Sequence, residues 1–249
     1  MCQLANMDYF KNLSDDDPTL ANSPLMRAAQ LTLQYTQDNG SIELTKTKAF
    51  KRTFVHWAAK HFDWPGMGYD ELFRVNKVLN EYDFVPLELL HFLLIERKLG
   101  RHYKGAFKLT KRGTELAKSP AKLFAELIPF YLFQIDHGAY SGAYSRLEDY
   151  PEGNWDVWLN VLNVEVENGA KEAALYKVFY GEPEKGPMSW RKTGPFYSCV
   201  LRPLSWAGLL SQPEMQNKPS SEKDYFKTPL WRSALKLETD RLVQPAQRH

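Results

Sequence analysis

The chain has 249 residues, 43% hydrophobic and 14% aromatic, which is ample material for a packed core in one large domain or two small ones. Cys2 and Cys199 are too few and too far apart for a disulfide framework or a CxxC pair, and no apolar run is long enough for a membrane span or signal segment, so the reading is a cytoplasmic protein without a membrane partner. Net charge is only +2, but its placement is uneven: −4 over residues 1–43, +8 over 44–125, −7 over 126–190 and +5 over 191–249.

Residues 1–22, with Asp15, Asp16 and Asp17 before Pro18, read as an acidic flexible tail. "SPLMRAAQLTLQYTQDNG" then offers a serine cap, a proline at the first helical position and a closing glycine, which predicts a helix over 24–38. "SIELT" alternates like a short strand, and "KTKAFKRTFVHWAAKHF" carries Phe50, Phe54, Trp57 and Ala58 at helical spacing. A helix over about 70–80 follows "DWPGMGYDE", and "VPLELLHFLLIERK" is apolar on nearly every side, the mark of a buried central helix on which Glu88, His91 and Glu96 are among the few exposed positions.

"LGRHY" and "AFKLT" read as two strands joined at Lys104-Gly105 in a hairpin. Ser119-Pro120 starts another helix, with an apolar face of Leu123, Phe124, Leu127, Ile128, Tyr131 and Leu132 and a kink expected at Pro129. Residues 135–153, rich in Gly, Tyr, Ser and acids, form a linker between a first domain over 23–134 and a second over 154–245, with 246–249 as a tail. In the second domain "NWDVWLNVLNVEVEN", "KEAALYKVFYG" and "PFYSCVLRPLSWAGLL" read as helices, with Trp155, Trp158 and Leu162 as core. A polar insertion leads to the strand "YFKT" and a helix opened by Thr228-Pro229.

Three segments share a rhythm of strand, threonine and helix: "IELTKTKAF", "FKLTKRGTEL" and "YFKTPLWRSAL". The second, with the preceding helix, Gly100 and the basic hairpin, resembles the end of a winged-helix domain, whose last strand runs into T-x-x-G-x-x-L, here Thr110, Gly113 and Leu116. The third has Trp231 where the second has Gly113. The whole is similar to uncharacterised bacterial proteins, some plasmid-borne, with tandem winged-helix-like units. The resemblance implies a mainly α fold with short β-hairpins in two winged-helix-like lobes, and a nucleic-acid-binding (DNA-binding) or protein-interaction scaffold.

Residues 96–113, "ERKLGRHYKGAFKLTKRG", place Arg97, Lys98, Arg101, Lys104, Lys108, Lys111 and Arg112 against a single carboxylate. Phosphates turn that mutual repulsion into attraction with release of counterions, and Tyr103 and Phe107 brace the hairpin or stack on bases. A plainer alternative is a lysine-rich turn that protects a sheet edge. Lys46, Lys48, Lys51 and Arg52 fall at the first turns of the next helix, where the helix dipole disfavours cations; a phosphate backbone, an acidic partner or the acidic middle of the same chain compensates, and ordinary hydration also suffices. No catalytic motif is present: there is no P-loop, no HExxH, no GxSxG, and His56 and His61 sit on different helix faces. The reading is therefore a non-catalytic protein without metal or cofactor that grips the phosphate backbone of nucleic acid, duplex DNA first. The alternative is an interaction protein that binds an acidic protein surface in a mobile-element or phage–host conflict setting.

Overall fold

The computed structural model describes residues 9–140, 151, 153–182, 190–213 and 223–243. The protein is mainly helical, with two small three-stranded antiparallel sheets. It divides into two compact units, one Ser14–Tyr131, the other Leu132–His249 together with Met1–Leu13.

In the Ser14–Tyr131 unit the first helix, α1 (Pro24–Asn39), has the expected ends. Ser23 Oγ accepts the Met26 N–H at 3.2 Å, Pro24 opens the first turn, and Gly40 closes the last at φ 75°. Then come β1 (Ile42–Glu43), α2 (Arg52–His61), α3 (Tyr69–Val75) and α4 (Val85–Glu96). They are followed by β2 (Gly100–Tyr103), β3 (Ala106–Leu109), α5 (Lys111–Leu116) and α6 (Pro120–Gln134). Helix α4 is the buried axis: Leu87, Leu89, Leu90, Leu93 and Leu94 are at most 1% exposed, and α1 packs on it and on β3. Each such leucine contributes about 1.5–3 kcal/mol, so the root from which β2 leaves is firmly held. The sheet order is β1-β3-β2, with Gly100 opposite Leu109, Tyr103 opposite Ala106 and Ile42 opposite Phe107.

Three local expectations are corrected. Helix α2 begins at Arg52 rather than near Lys46, because Leu44 and Phe50 still bridge in extended pairing and Thr45 closes a turn onto Ala49 and Lys48. Helix α3 stops at Val75, where Asn76 turns extended and its amide caps the Leu72 carbonyl. Residues 9–22 of the expected tail are held in place: Asp15 accepts the Ser119 hydroxyl and the Ala121 N–H at the start of α6, which lowers its pKa, and Pro18–Asn22 form a 3-10 turn. Helix α6 runs through Pro129 as one element, with Leu123, Phe124, Leu127, Ile128 and Tyr131 buried as the pattern requires.

The other unit repeats the same order. It contains α7 (Trp155–Glu165), β4 (Ala170–Lys171), α8 (Glu172–Tyr180) and α9 (Trp190–Phe196). A π-turn at Tyr197–Leu201 leads into α10 (Arg202–Trp206), then β5 (Leu210–Ser211), β6 (Asp224–Lys227) and α11 (Pro229–Ala234). The helix expected over "PFYSCVLRPLSWAGLL", ending near Gly208, is helical through to Trp206 but widens to a π-helix between Pro195 and Pro203, which lack the N–H groups a regular ladder needs. The sheet order, β4-β6-β5, is that of the first unit. The agreement reaches single atoms: the Leu99 N–H meets Leu94 O as Leu209 meets Leu204, and the Thr110 N–H meets Leu99 O as Thr228 meets Leu209. Thr110 Oγ1 donates to Lys98 O, 12 residues back, whereas Thr228 Oγ1 donates to Gly208 O, 20 residues back, so the second hairpin is the longer. Its tip and the expected linker residues 141–150 lie outside the described residues.

The buried strand position that Phe107 fills in one sheet is Tyr225 in the other, whose hydroxyl donates to Glu172 at 3.0 Å. Burial pushes the Glu172 carboxyl up to about 7, against the opposing pull of that hydrogen bond and Lys223. A carboxyl raised on folding stabilises only while protonated. Its contribution is complete below the unfolded value of about 4.3, and it is lost as pH climbs through about 7. Glu172→Gln is therefore expected to gain on the order of 1–2 kcal/mol at alkaline pH and nothing at acid pH. Urea unfolding at the two pH values checks this, and equal midpoints for variant and wild type at alkaline pH would contradict it.

Candidate nucleic-acid interface

The two-residue turn of the β2–β3 hairpin needs both central residues in the left-handed region, and Lys104 (φ 49°) and Gly105 (φ 74°) supply that. Glycine does so freely; a lysine there costs about 1–2 kcal/mol relative to an ordinary conformation. Lys48 (φ 67°) and Lys98 (φ 56°) share this condition, so three of the four described non-glycine residues at positive φ are lysines of the cationic region. Conformation alone favours glycine or asparagine at all three positions, so the positive charge is held there against a local cost.

The hairpin stands on Phe107, which is fully buried between Phe50 and His91 at centroid distances of 5.5 and 5.6 Å. Phe107 thus braces and does not stack on a ligand. Tyr103, 46% exposed, carries Arg101, Lys104 and Lys108 around its ring at 5.5, 5.4 and 5.9 Å. Each such contact is worth about 0.5–1 kcal/mol at an exposed site, enough to keep the cations gathered on one face.

The eleven cations singled out in the sequence separate into two groups. Four are engaged by neighbours: Arg97 pairs with Glu126 at 2.5 Å and lies over the Phe130 ring, Arg112 shares the same carboxylate, Lys51 meets Glu43 at 3.3 Å, and Arg52 donates to Asn80. Lys46, Lys48, Lys98, Arg101, Lys104, Lys108 and Lys111 make no ion pair among the described residues. Lys46 and Lys48 belong to the β1–α2 loop, not to the first turn of α2, so the helix dipole does not oppose them as expected. That loop is tied to the hairpin tip by the Leu44 N–H bond to Gly105 O at 2.9 Å. The result is a cleft of about 400 Å³ lined by Leu44, Thr45, Lys46, Lys48 and the hairpin residues His102 to Gly105.

Behind the cleft lies a polar chain that motif reading misses. Glu81, 4% exposed, accepts the Phe50 N–H at 2.5 Å and holds His91 Nδ1 at 2.6 Å; His91 Nε2 lies 2.8 Å from His102 Nε2. His91, expected on an exposed face of α4, is 7% exposed and stacked on Phe50 at 3.8 Å. The signal was in "LELLHFLLI": an imidazole inside an otherwise apolar helix requires a buried partner. Burial, then His91 and then Lys48 lower the His102 pKa, with Glu81 opposing.

Glu88, Phe92 and Glu96, at intervals of one helical turn, form the exposed face of α4. The Asp136–His137 pair is no dyad either: Asp136 accepts the Gly138 and Ala139 N–H groups, while His137 Nε2 faces Leu132 O at 3.3 Å.

Residues 21–122 match the family model described as the Y4jL N-terminal domain, and residues 145–229 the model described as the y4jL C-terminal domain. The chain is also similar to "Uncharacterized protein y4jL" of Sinorhizobium fredii (strain NBRC 101917 / NGR234), 36% identical over 213 residues that cover 82% of this chain and 94% of that protein. No solved structure matches the chain.

Proposed function

For a chain that belongs to the Y4jL family, as its two domain matches and the Sinorhizobium relative establish, we propose non-catalytic binding of nucleic acid by winged-helix units, with the first wing gripping the phosphate backbone. The winged-helix reading is supported by the order helix, strand, helices, hairpin, and by the β1-β3-β2 sheet repeated as β4-β6-β5. The observation that carries the binding reading is the set of cations on the hairpin and the β1–α2 loop that make no ion pair among the described residues, two of them, Lys48 and Lys104, in left-handed positions. The grip is on backbone rather than bases. In a winged helix, α4 would enter the major groove, and here it presents Glu88 and Glu96, which phosphates repel.

Fluorescence anisotropy with duplex and single-stranded oligonucleotides over a salt series tests the proposal. Affinity is expected to fall steeply with salt, and replacing Lys46, Lys48 and Lys104 together by alanine to reduce the log–log slope by about 2.7, from about 0.9 per phosphate contact. Absence of binding at low salt overturns it. The acidic face of α4 favours a second reading, an acidic protein seated on the wing alone. In that case a pulldown partner is lost in the same triple variant while oligonucleotides fail to compete.

A further inference from the structure

We infer that the cleft between the hairpin and the β1–α2 loop takes one phosphodiester group, and that the Glu81–His91–His102 chain makes this binding proton-coupled. The inference rests on the nucleic-acid reading and adds its regulation.

With Glu81 ionised, the hydrogen-bond directions along the chain follow from chemistry. Carboxylate Glu81 only accepts, so His91 Nδ1 carries a proton toward it at 2.6 Å. In the neutral chain His91 Nε2 is then an acceptor and His102 Nε2–H is its donor, at 2.8 Å. That leaves His102 Nδ1 as a bare lone pair, with no partner among the described residues, on a side chain that lines the cleft. A lone pair repels an oxyanion.

One proton from solvent reverses the arrangement. It adds to His102 Nδ1, the Nε2 proton passes to His91 Nε2, and the positive charge settles on His91 between the Glu81 carboxylate and the Phe50 ring 3.8 Å away. His102 stays neutral but now offers Nδ1–H to the cleft. A phosphodiester oxygen accepts that hydrogen bond while Lys46, Lys48 and Lys104 neutralise its charge. The other charged groups bearing on the switch are Lys48, which opposes protonation of His102, and Glu88, whose own carboxyl is pushed up by burial and then by the charge of Glu81. Glu43 on β1 is occupied by Lys51. A bound anion cancels the opposition from Lys48, so ligand and proton favour each other.

A phosphodiester does not titrate near neutrality, so any proton uptake belongs to the protein. At constant low ionic strength, duplex affinity of the full chain is expected to weaken about tenfold between about pH 5.5 and about pH 7.5. Calorimetry in buffers of different ionisation enthalpy should register up to one proton taken up per site. His102→Gln keeps a side-chain donor for His91 and is expected to bind with a flat pH profile. Salt-sensitive binding that is flat in the wild type, or equally steep in His102→Gln, overturns this inference and leaves the backbone-binding proposal standing. If no duplex binds, NMR of the His102 ring in sulfate against chloride at matched ionic strength decides: an upward shift of its titration in sulfate supports the site, and no shift overturns it.

Discussion

Glu81→Ala is expected to destabilise the Ser14–Tyr131 unit by about 3–5 kcal/mol, the cost of breaking a buried, hydrogen-bonded charged group from one side. Glu81 anchors two elements at once. One carboxylate oxygen holds the Phe50 N–H at the end of the β1–α2 loop and the other holds His91 on α4. Without it the buried Phe50 amide and the His91 Nδ1–H both lose their partner, at about 1–3 kcal/mol each, and Phe50 also loses the tether that sets its ring on His91 and Phe107. Glu81→Gln retains one acceptor and should lose about half as much. Urea unfolding followed by tryptophan fluorescence measures both; a loss under about 1 kcal/mol for the alanine variant would show that water or a rearranged His91 replaces the carboxylate.

Gly113→Val is expected to cost more than about 3 kcal/mol, beyond ordinary overpacking, because a Cβ at this position would lie 1.9 Å from Leu99 O. That carbonyl cannot retreat. It accepts the Thr110 N–H at 3.0 Å and the Thr110 hydroxyl at 3.2 Å, while Thr110 Oγ1 caps the Gly113 N–H. Relief requires moving α5 away from the root of the hairpin, so the variant should lose hairpin order along with stability. Gly105→Asn is the contrasting control: nothing lies within 4 Å and the turn accepts asparagine, so the change should stay within about 1 kcal/mol. Thermal unfolding together with amide exchange at Phe107 distinguishes the two; a Gly113→Val protein with wild-type protection at Phe107 would refute the steric account.

Where Gly113 makes this close approach, the other unit has Trp231, buried at 1% exposure, with its indole N–H donated to Asn163 at 2.9 Å. Two threonines of the strand–threonine–helix rhythm were legible in the sequence because Thr45 and Thr110 accept the Ala49 and Gly113 N–H groups within their own turns, whereas Thr228 reaches back to Gly208 O; Lys104-Gly105 was legible because two adjacent residues define a hairpin. Helix α1 could be read from Ser23, Pro24 and Gly40 for the same local reason. Other features depend on distance in the chain. Glu81, His91 and His102 come from three elements and meet only after folding, and the engagement of Arg97 and Arg112 by Glu126 links the hairpin root to α6. Lys46 and Lys48 were placed on a helix because alternating lysines carry no signal that separates an exposed loop from a first turn. The cleft is the product of such long-range meetings: its loop lysines and hairpin residues are more than fifty positions apart.

The pairing of Phe10 with Leu235, flanked by the Lys11 N–H bond to Ala234 O and the Lys236 N–H bond to Tyr9 O, also bears on how the molecule is made. On the ribosome, everything that Ser14–Tyr131 requires has emerged once α6 is out, so that unit can close early. The stretch around Phe10 leaves the ribosome ahead of that unit yet must wait more than two hundred residues for its mate, which makes its pairing one of the last among the described residues to form.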